Sequence, residues 1–202
     1  MLVKTSSIDH ADWNYDGVLG FVSRRRFALA LELLPPGRHD ILEIGYGSGV
    51  FLPTLASRAT SLQGVDVHTC VDKVMTMLET FSLRANLYCA PAEALPFADA
   101  SLDVVVAVSA LEFVNDLTAA VREIARVLRP EGRAIVVTPG TNAVLDLALK
   151  LATGQSARDD FGDRRACVVP TLCRELDHER SGWWPLSWPI PVYRALRLRK
   201  RV

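Results

Sequence analysis

Residues 41–49, ILEIGYGSG, decide the fold of this chain. A short apolar strand runs into three glycines at alternate positions, with Glu43 placed before the first of them. Glycines allow a tight turn and let the backbone approach a ligand closely. A helix predicted just after the loop would turn its free N–H groups to the same space. The stretch predicts a ligand-binding loop after the first strand, although a plain tight turn is the simpler interpretation.

Strands and helices alternate downstream of this loop. Apolar patterning predicts strands at 41–44, 62–67, 86–89, 103–109 and 133–138, and helices at 51–57, 71–80 and 117–128. Strands separated by helices indicate βαβ units, a parallel sheet and an α/β fold. Ligands of such sheets bind beyond the carboxyl ends of the strands, where the strand order reverses.

The flanking regions are expected to complete one domain of 202 residues. Residues 1–35 are predicted to be helical and to act as a lid, 40–140 to form the core, and 141–202 to lie on the substrate side. Within the last part, 154–165 is expected to be a loop, and 169–179 a helix with Pro170 in its first turn. Residues 192–201 fit a strand with one exposed face, or, together with Trp183, Trp184 and Trp188, a segment at a lipid surface.

Composition narrows the class of protein. Lysine plus arginine equals aspartate plus glutamate at 23 each, so nucleic acid is an unlikely partner. The four cysteines form no CxxC pair, which argues against a metal site and favours free, buried thiols. The amino terminus has no apolar signal segment, so a cytoplasmic location is expected, with peripheral membrane contact as an alternative. Composition makes no prediction of the oligomeric state.

A carboxylate and three further motifs follow the glycine loop. Asp66 ends the second strand about 20 residues on, where a carboxylate can accept hydrogen bonds from ribose hydroxyls. The motifs are AEALPF at 92–97, LDVV at 102–105 followed by LEFV at 111–114, and LRPEG at 128–132.

In order and spacing these motifs resemble the class I S-adenosylmethionine-dependent methyltransferases of the ubiquinone/menaquinone-biosynthesis (methyltransferase type 11) group. The resemblance covers about residues 40–140. It implies a Rossmann-like, doubly wound sheet of seven strands, mostly parallel, with an antiparallel C-terminal hairpin. It also implies S-adenosyl-L-methionine as cofactor, S-adenosyl-L-homocysteine as product, and a small-molecule or lipid/quinone-like acceptor.

The resemblance also implies roles for individual residues. The methionine part of the cofactor would lie against Gly45, Gly47 and Gly49, with Tyr46 in the same loop and Glu43 supporting it. Asp66 would hold the ribose and Val67 would pack on the adenine. The backbone N–H of Ala92 would meet the adenine, with Glu93 nearby, and Ser109 would face the amino-acid end.

The chain departs from the family pattern at three places. Ala90-Pro91 stands where Gly-Asp is common, which removes a frequent adenine contact. Phe113 stands where histidine is frequent, and Glu131 replaces a glycine at a turn. These departures leave open a protein that binds the cofactor without catalysis.

Methyl transfer is an in-line displacement, in which the cofactor supplies the reactivity and the protein the position. A general base is needed only when the acceptor must lose a proton. His68, Tyr15 and His178 are weak candidates for this base. Without a catalytic role, His68 would be a ribose-side histidine, Tyr15 part of a polar–aromatic cluster and His178 part of a solvated helix end. Two other activities stay open: a nicotinamide-dependent oxidoreductase, and an RNA methyltransferase using the basic cluster Arg24-Arg25-Arg26.

Overall fold

The computed structural model describes residues 17–140, 164–185 and 191–201. Tyr15, most of the predicted loop at 154–165 and Trp188 lie outside these residues. The elements in chain order are α1 (Gly17–Leu33), β1 (His39–Ile44), α2 (Leu52–Ala56), β2 (Ala59–Asp66), α3 (Val71–Glu79), β3 (Asn86–Cys89), β4 (Leu102–Val108), a 3-10 turn (Leu111–Phe113), α4 (Leu117–Val127), β5 (Leu128–Pro139), α5 (Arg164–Glu175), β6 (Leu176–Trp184) and β7 (Tyr193–Lys200).

The strands form one seven-stranded sheet in the order β3-β2-β1-β4-β5-β7-β6. Strands β1 to β5 pair in parallel, and β7 lies antiparallel to both β5 and β6. The chain leaves β1 toward β2 on one side and returns to β4 on the other, so the strand order reverses between β1 and β4. The predicted doubly wound sheet with an antiparallel C-terminal hairpin is confirmed.

Both faces of the sheet are covered. Val104 and Val106 of β4 belong to a buried cluster that includes side chains of α1, α2 and α3. Val105 and Ala107 point to the other face, where side chains of α4 and α5 complete a second cluster. Double coverage explains why β4 is a nearly continuous run of valine and alanine rather than an alternating strand.

Helix α4 connects β4 to β5, and its cap starts it where the sequence predicts. Asp116 accepts a hydrogen bond from Ala119 N at 2.9 Å and so caps the first turn. The helix ends one residue earlier than predicted, because Leu128 already pairs with Leu102 of β4. The predicted start of the fifth strand at 133 is therefore wrong, and Glu131 lies inside β5 with φ +64, at an irregularity of the ladder.

The C-terminal part corrects another boundary. The predicted helix at 169–179 is instead α5, which begins at Arg164, places Pro170 in its interior and ends at Glu175. Residues from Leu176 onward pair with β7, and this pairing buries Leu176 against the sheet.

The alternating pattern of the C-terminal strand is confirmed in β7. Leu196 and Leu198 are buried, while Arg197 and Arg199 form ion pairs with Glu179 of β6. These ion pairs give two of the C-terminal cations a structural role. Peripheral membrane contact stays a prediction, and no described helix has the length and apolar character needed to cross a bilayer.

The cysteines differ from their predicted burial. All four are free, but Cys89, Cys167 and Cys173 are exposed and Cys70 is half-buried. Strand β3 shows why, because Cys89 lies in an edge strand in which only Leu87 is buried.

Candidate functional site

The three glycines of the loop after β1 differ in how closely other residues pack against them. Gly45, Gly47 and Gly49 have φ values of +74, +50 and +75, a region that L side chains rarely adopt. A Cβ on Gly45 would lie 2.5 Å from Ala110 Cβ, and one on Gly49 would lie 2.7 Å from Val74 Cγ1. A Cβ on Gly47 would meet nothing within 4 Å. Gly45 and Gly49 therefore allow close packing, whereas Gly47 faces open space.

The peptide groups of Gly47 are held from β2. Asp66 Oδ2 accepts a hydrogen bond from Gly47 N at 2.8 Å, and His68 Nε2 lies 2.9 Å from Gly47 O. The other oxygen of Asp66 accepts from Val67 N at 2.7 Å. Each carboxylate oxygen keeps acceptor capacity beyond these contacts, because an ionised carboxylate offers about four lone-pair sites.

In this geometry His68 supports the glycine loop and does not act as a base. Its Nδ1 accepts from Cys70 N at 3.1 Å, so we assign the proton to Nε2, which donates to Gly47 O. Both ring nitrogens are engaged by the backbone, and Tyr46 stacks edge-on at 4.9 Å between ring centroids. The hypothesis that His68 is the catalytic base is corrected for this reason.

The end of β2 and the segment after β3 form the next part of the site. Val67 is 72% exposed, which is unusual for an aliphatic side chain and leaves a surface for a planar apolar group. Ala90 N donates to Asp66 O at 2.9 Å, which fixes the following segment beside Asp66. Ala92 is buried, and within the described part of the chain its backbone N–H has no acceptor.

Glu93 has a structural contact. Its Oε1 accepts from Asn115 N at 2.9 Å and from Asp116 N at 3.2 Å. It thereby ties the segment after β3 to the start of α4, next to the predicted adenine position.

Ser109 closes the site at the end of β4. Its φ of +52 places it in the left-handed region, which is uncommon for serine and typical of functional positions. Ser109 N donates to Val137 O at 2.8 Å, while its Oγ is buried and has no hydrogen-bond partner among the residues that the structure describes. The hydroxyl is thus available to a ligand.

Two buried carboxyl groups lie at the same edge. Glu43 is 3% exposed, and burial, with the charge of Asp66, raises its pKa to about 8. Glu112, in the 3-10 turn, is 1% exposed, and burial raises its pKa to about 7. Arg26 opposes both shifts, and Arg165 also opposes that of Glu112.

Arg26, Glu112, Arg165 and Tyr193 were missed as site residues by the sequence analysis. The sequence marks Arg26 only as part of a basic cluster and Glu112 only as part of the LEFV motif. Arg165 and Tyr193 carry no signal of their own, because they reach this edge through the C-terminal strand pairing.

His178 lies away from the site. It is in β6 rather than at a helix end, and it pairs with Leu198, which in turn pairs with Ala134 in the middle of β5, away from the carboxyl edge of the sheet. It is exposed and bonds Ser181 Oγ at 2.7 Å, so the structure removes it as a candidate base.

The residues present fit an adenosyl sulfonium compound. Open space at Gly47, a carboxylate with unused lone pairs at Asp66, an exposed Val67 and an unpartnered Ser109 hydroxyl lie around the ends of β1, β2 and β4. The seven-stranded order and this site define a class I S-adenosylmethionine-dependent methyltransferase fold.

Comparison with known proteins agrees with that class. Residues 42–136 match the family model described as a methyltransferase domain. It is 30% identical over 151 residues to a malonyl-[acyl-carrier protein] O-methyltransferase of Methylovorus sp. (strain MP688), covering 70% of this chain and 51% of that protein. It is 31% identical over 122 residues to the ubiquinone/menaquinone biosynthesis C-methyltransferase UbiE of Geotalea daltonii, covering 57% and 51%.

The match spans about half the length of these two relatives. Among solved structures, the N-methyltransferase NodS from Bradyrhizobium japonicum WM9 in complex with S-adenosyl-L-homocysteine superposes with a TM-score of 0.70. That match has 16% identity and covers 98% of this chain and 95% of that one. At this identity the likeness shows the fold.

Proposed function

We propose that this protein transfers the methyl group of S-adenosyl-L-methionine to a small-molecule or lipid/quinone-like acceptor by in-line displacement. The product would be S-adenosyl-L-homocysteine. The observation that carries the proposal is the hydrogen bond from Gly47 N to Asp66. It holds an open stretch of backbone beside a carboxylate with unused lone pairs.

The bound cofactor supplies an activated methyl group on a sulfonium, and the chain supplies position. Asp66 would accept hydrogen bonds from the ribose hydroxyls, and Val67 would cover the adenine. Gly47 would let the methionine part approach the backbone, and Ser109 would donate to its amino-acid end. The Ala92 N–H would meet an adenine nitrogen, and the frequent aspartate contact to the adenine would have no counterpart at Pro91.

The acceptor is proposed from relatives and from the site. The relatives' names specify a malonyl-[acyl-carrier protein] and a ubiquinone/menaquinone precursor pathway, which supports a small or carrier-linked acceptor. The buried carboxyl group of Glu112 in the 3-10 turn favours an acceptor whose reacting end is itself polar. We keep a cytoplasmic location as part of the proposal, with peripheral membrane contact tested by co-sedimentation with anionic vesicles.

Two measurements test the function. Calorimetry with S-adenosyl-L-homocysteine should show binding by the purified protein, and incubation with S-adenosyl-L-methionine and an acceptor panel should release S-adenosyl-L-homocysteine. The panel should include malonyl-carrier, phenolic, quinol and amine compounds. Binding without turnover on any acceptor would favour the alternative of a non-catalytic cofactor-binding protein. Absence of binding would refute the proposal.

A further inference from the structure

Four segments converge beside the glycine loop at the carboxyl edge of the sheet. Ser109 is tied to Val137 of β5, and Pro139 at the end of β5 pairs with Tyr193 of β7. Arg165 Nη1 donates to Gly140 O at 3.3 Å. The 2.5 Å separation between Ala110 Cβ and an ideal Cβ on Gly45 places the segment after β4 directly against the loop. These contacts bring the end of β4, the end of β5, the start of β7 and the start of α5 together beside the glycine loop.

Glu112 is the unusual member of this region. Its side chain is 1% exposed, yet neither carboxylate oxygen is hydrogen-bonded to any other described residue. Burying a carboxyl group without a partner is unfavourable, and such groups in native proteins call for a functional explanation. Thr138 Oγ1, at the end of β5, is likewise buried without a partner. The region therefore offers a ligand two unused polar side chains.

The charges around Glu112 come from several elements. Burial raises the pKa of Glu112 to about 7, against a hydrogen bond from its own backbone N–H and the charges of Arg26 in α1 and Arg165 in α5, which lower it. Burial raises the pKa of Tyr193 in β7, Arg26 lowers it and Glu112 raises it. Arg26 also lowers the pKa of Glu43 in β1, against the larger effect of burial. Asp116 of α4 is occupied in capping its helix. A carboxyl group that titrates near neutral pH has the proton affinity that general base catalysis requires.

We propose that Glu112 is a catalytic residue that accepts the proton of an acceptor O–H or N–H group during methyl transfer. The inference rests on the proposed function. In the step, the lone pair of the acceptor oxygen or nitrogen forms a bond to the methyl carbon. The carbon–sulfur bond breaks with its electron pair left on sulfur, and the acceptor proton moves to the Glu112 carboxylate.

This assignment narrows the acceptor class. A hydroxyl or amine that must lose a proton has use for an unpartnered carboxylate, whereas a carboxylate acceptor has no proton to lose. The structure therefore favours an alcohol, phenol or amine over a free carboxylic acid such as a malonyl group.

Ligand binding can test the assignment before the acceptor is identified. Sinefungin is an analogue of S-adenosylmethionine in which a carbon bearing an ammonium group replaces the methylated sulfur, so its charge lies where the methyl would be. Titration calorimetry of sinefungin and of S-adenosyl-L-homocysteine gives a ratio of affinities that isolates this position. The variants are Glu112→Gln and, as a matched control, Glu131→Gln, which makes the same change on an exposed residue in the β5 bulge.

In the wild type, the preference for sinefungin should rise severalfold between pH 6 and pH 8 as Glu112 ionises. Glu112→Gln should lower the preference at pH 8 about tenfold or more, as expected for losing a charge-assisted contact, while leaving S-adenosyl-L-homocysteine affinity within about twofold. Glu131→Gln should match the wild type. With an active acceptor in hand, Glu112→Gln should lower kcat and Glu112→Asp should partly restore it.

An unchanged affinity ratio in Glu112→Gln, or a wild-type ratio that is flat with pH, would overturn the assignment while leaving the proposed function standing. A preference for S-adenosyl-L-homocysteine over sinefungin would also overturn it, because it would show that the two arginines dominate this region. If Glu112→Gln does not fold, the pH series is measured in the wild type and in Glu43→Gln, because Glu43 titrates in the same range, and a pH dependence that is lost in Glu43→Gln would overturn the assignment. Failure of the wild type to bind either ligand would instead refute the proposed function.

Discussion

Removing the carboxylate of Asp66 should separate cofactor binding from general stability. Its two oxygens already accept one short backbone hydrogen bond each, from Gly47 N at 2.8 Å and Val67 N at 2.7 Å, which leaves capacity for two ribose hydroxyls. Hydrogen bonds to a charged group contribute about 1.5–3 kcal/mol each. At the lower figure, Asp66→Ala should cost about 3 kcal/mol of binding free energy, or about 100-fold in the Kd for S-adenosyl-L-homocysteine measured by calorimetry.

Asp103→Ala is the matched control for Asp66→Ala. Asp103 also accepts a backbone hydrogen bond from β1, from Asp40 N at 2.9 Å, but it lies at the beginning of β4 and pairs with Arg129 at the opposite edge of the sheet. Its loss should lower the unfolding free energy in urea while leaving the Kd within about twofold. The reasoning fails if Asp66→Ala changes the Kd less than threefold, or if Asp103→Ala weakens binding as much.

Three further predictions concern the loop and the buried carboxyl beneath it. Gly49→Ala should lower the unfolding free energy in urea by about 1–3 kcal/mol, because its Cβ would lie 2.7 Å from Val74 Cγ1 at a φ of +75. Gly47→Ala should lower it less but weaken S-adenosyl-L-homocysteine binding more, and equal effects of the two changes would contradict this assignment of roles. Burial raises the pKa of Glu43 from 4.5 to about 8, so the folded state holds its proton more tightly and the unfolding free energy should fall as pH rises from about 4.5 to about 8. Urea titrations of the ligand-free protein across that range should show a smaller fall in Glu43→Gln, and an identical slope would argue against a buried, protonated Glu43. His68→Ala should weaken S-adenosyl-L-homocysteine binding about fivefold, because it removes the hydrogen bond to Gly47 O that holds the loop, and an unchanged Kd would contradict this role.

The parts of the fold that local pattern controls could be predicted from the sequence. The run of valine in β4 indicates a strand buried on both faces, and the glycine spacing after Ile44 indicates the loop. Boundaries were less accurate where pairing overrides local pattern. Leu128 and Leu176 both begin strands inside segments that read as helices, because each gains a partner strand that lies far away in the chain.

The meeting of Asp66 with the glycine loop could be predicted from the sequence, and the meeting of Glu112 with Arg26 and Arg165 could not. Asp66 and the glycines belong to one βαβ unit, so their meeting follows from a short stretch of chain. Arg26, Glu112 and Arg165 lie on three elements that are far apart in the chain, so local spacing does not predict that they meet. The role of His68 likewise depended on where its two nitrogens point, and spacing carries no information on that.

The two outer strands of the sheet also bear on how the protein behaves at high concentration. An unpaired strand edge is a template for adding a strand from another molecule. Here β3 has only four residues. Strand β6 carries charged side chains at Asp177, Glu179 and Arg180, which disfavour pairing of its edge with a second chain. Replacing these charges with valine or threonine should make the free edge of β6 prone to pairing with another molecule and promote self-association, without changing the glycine loop.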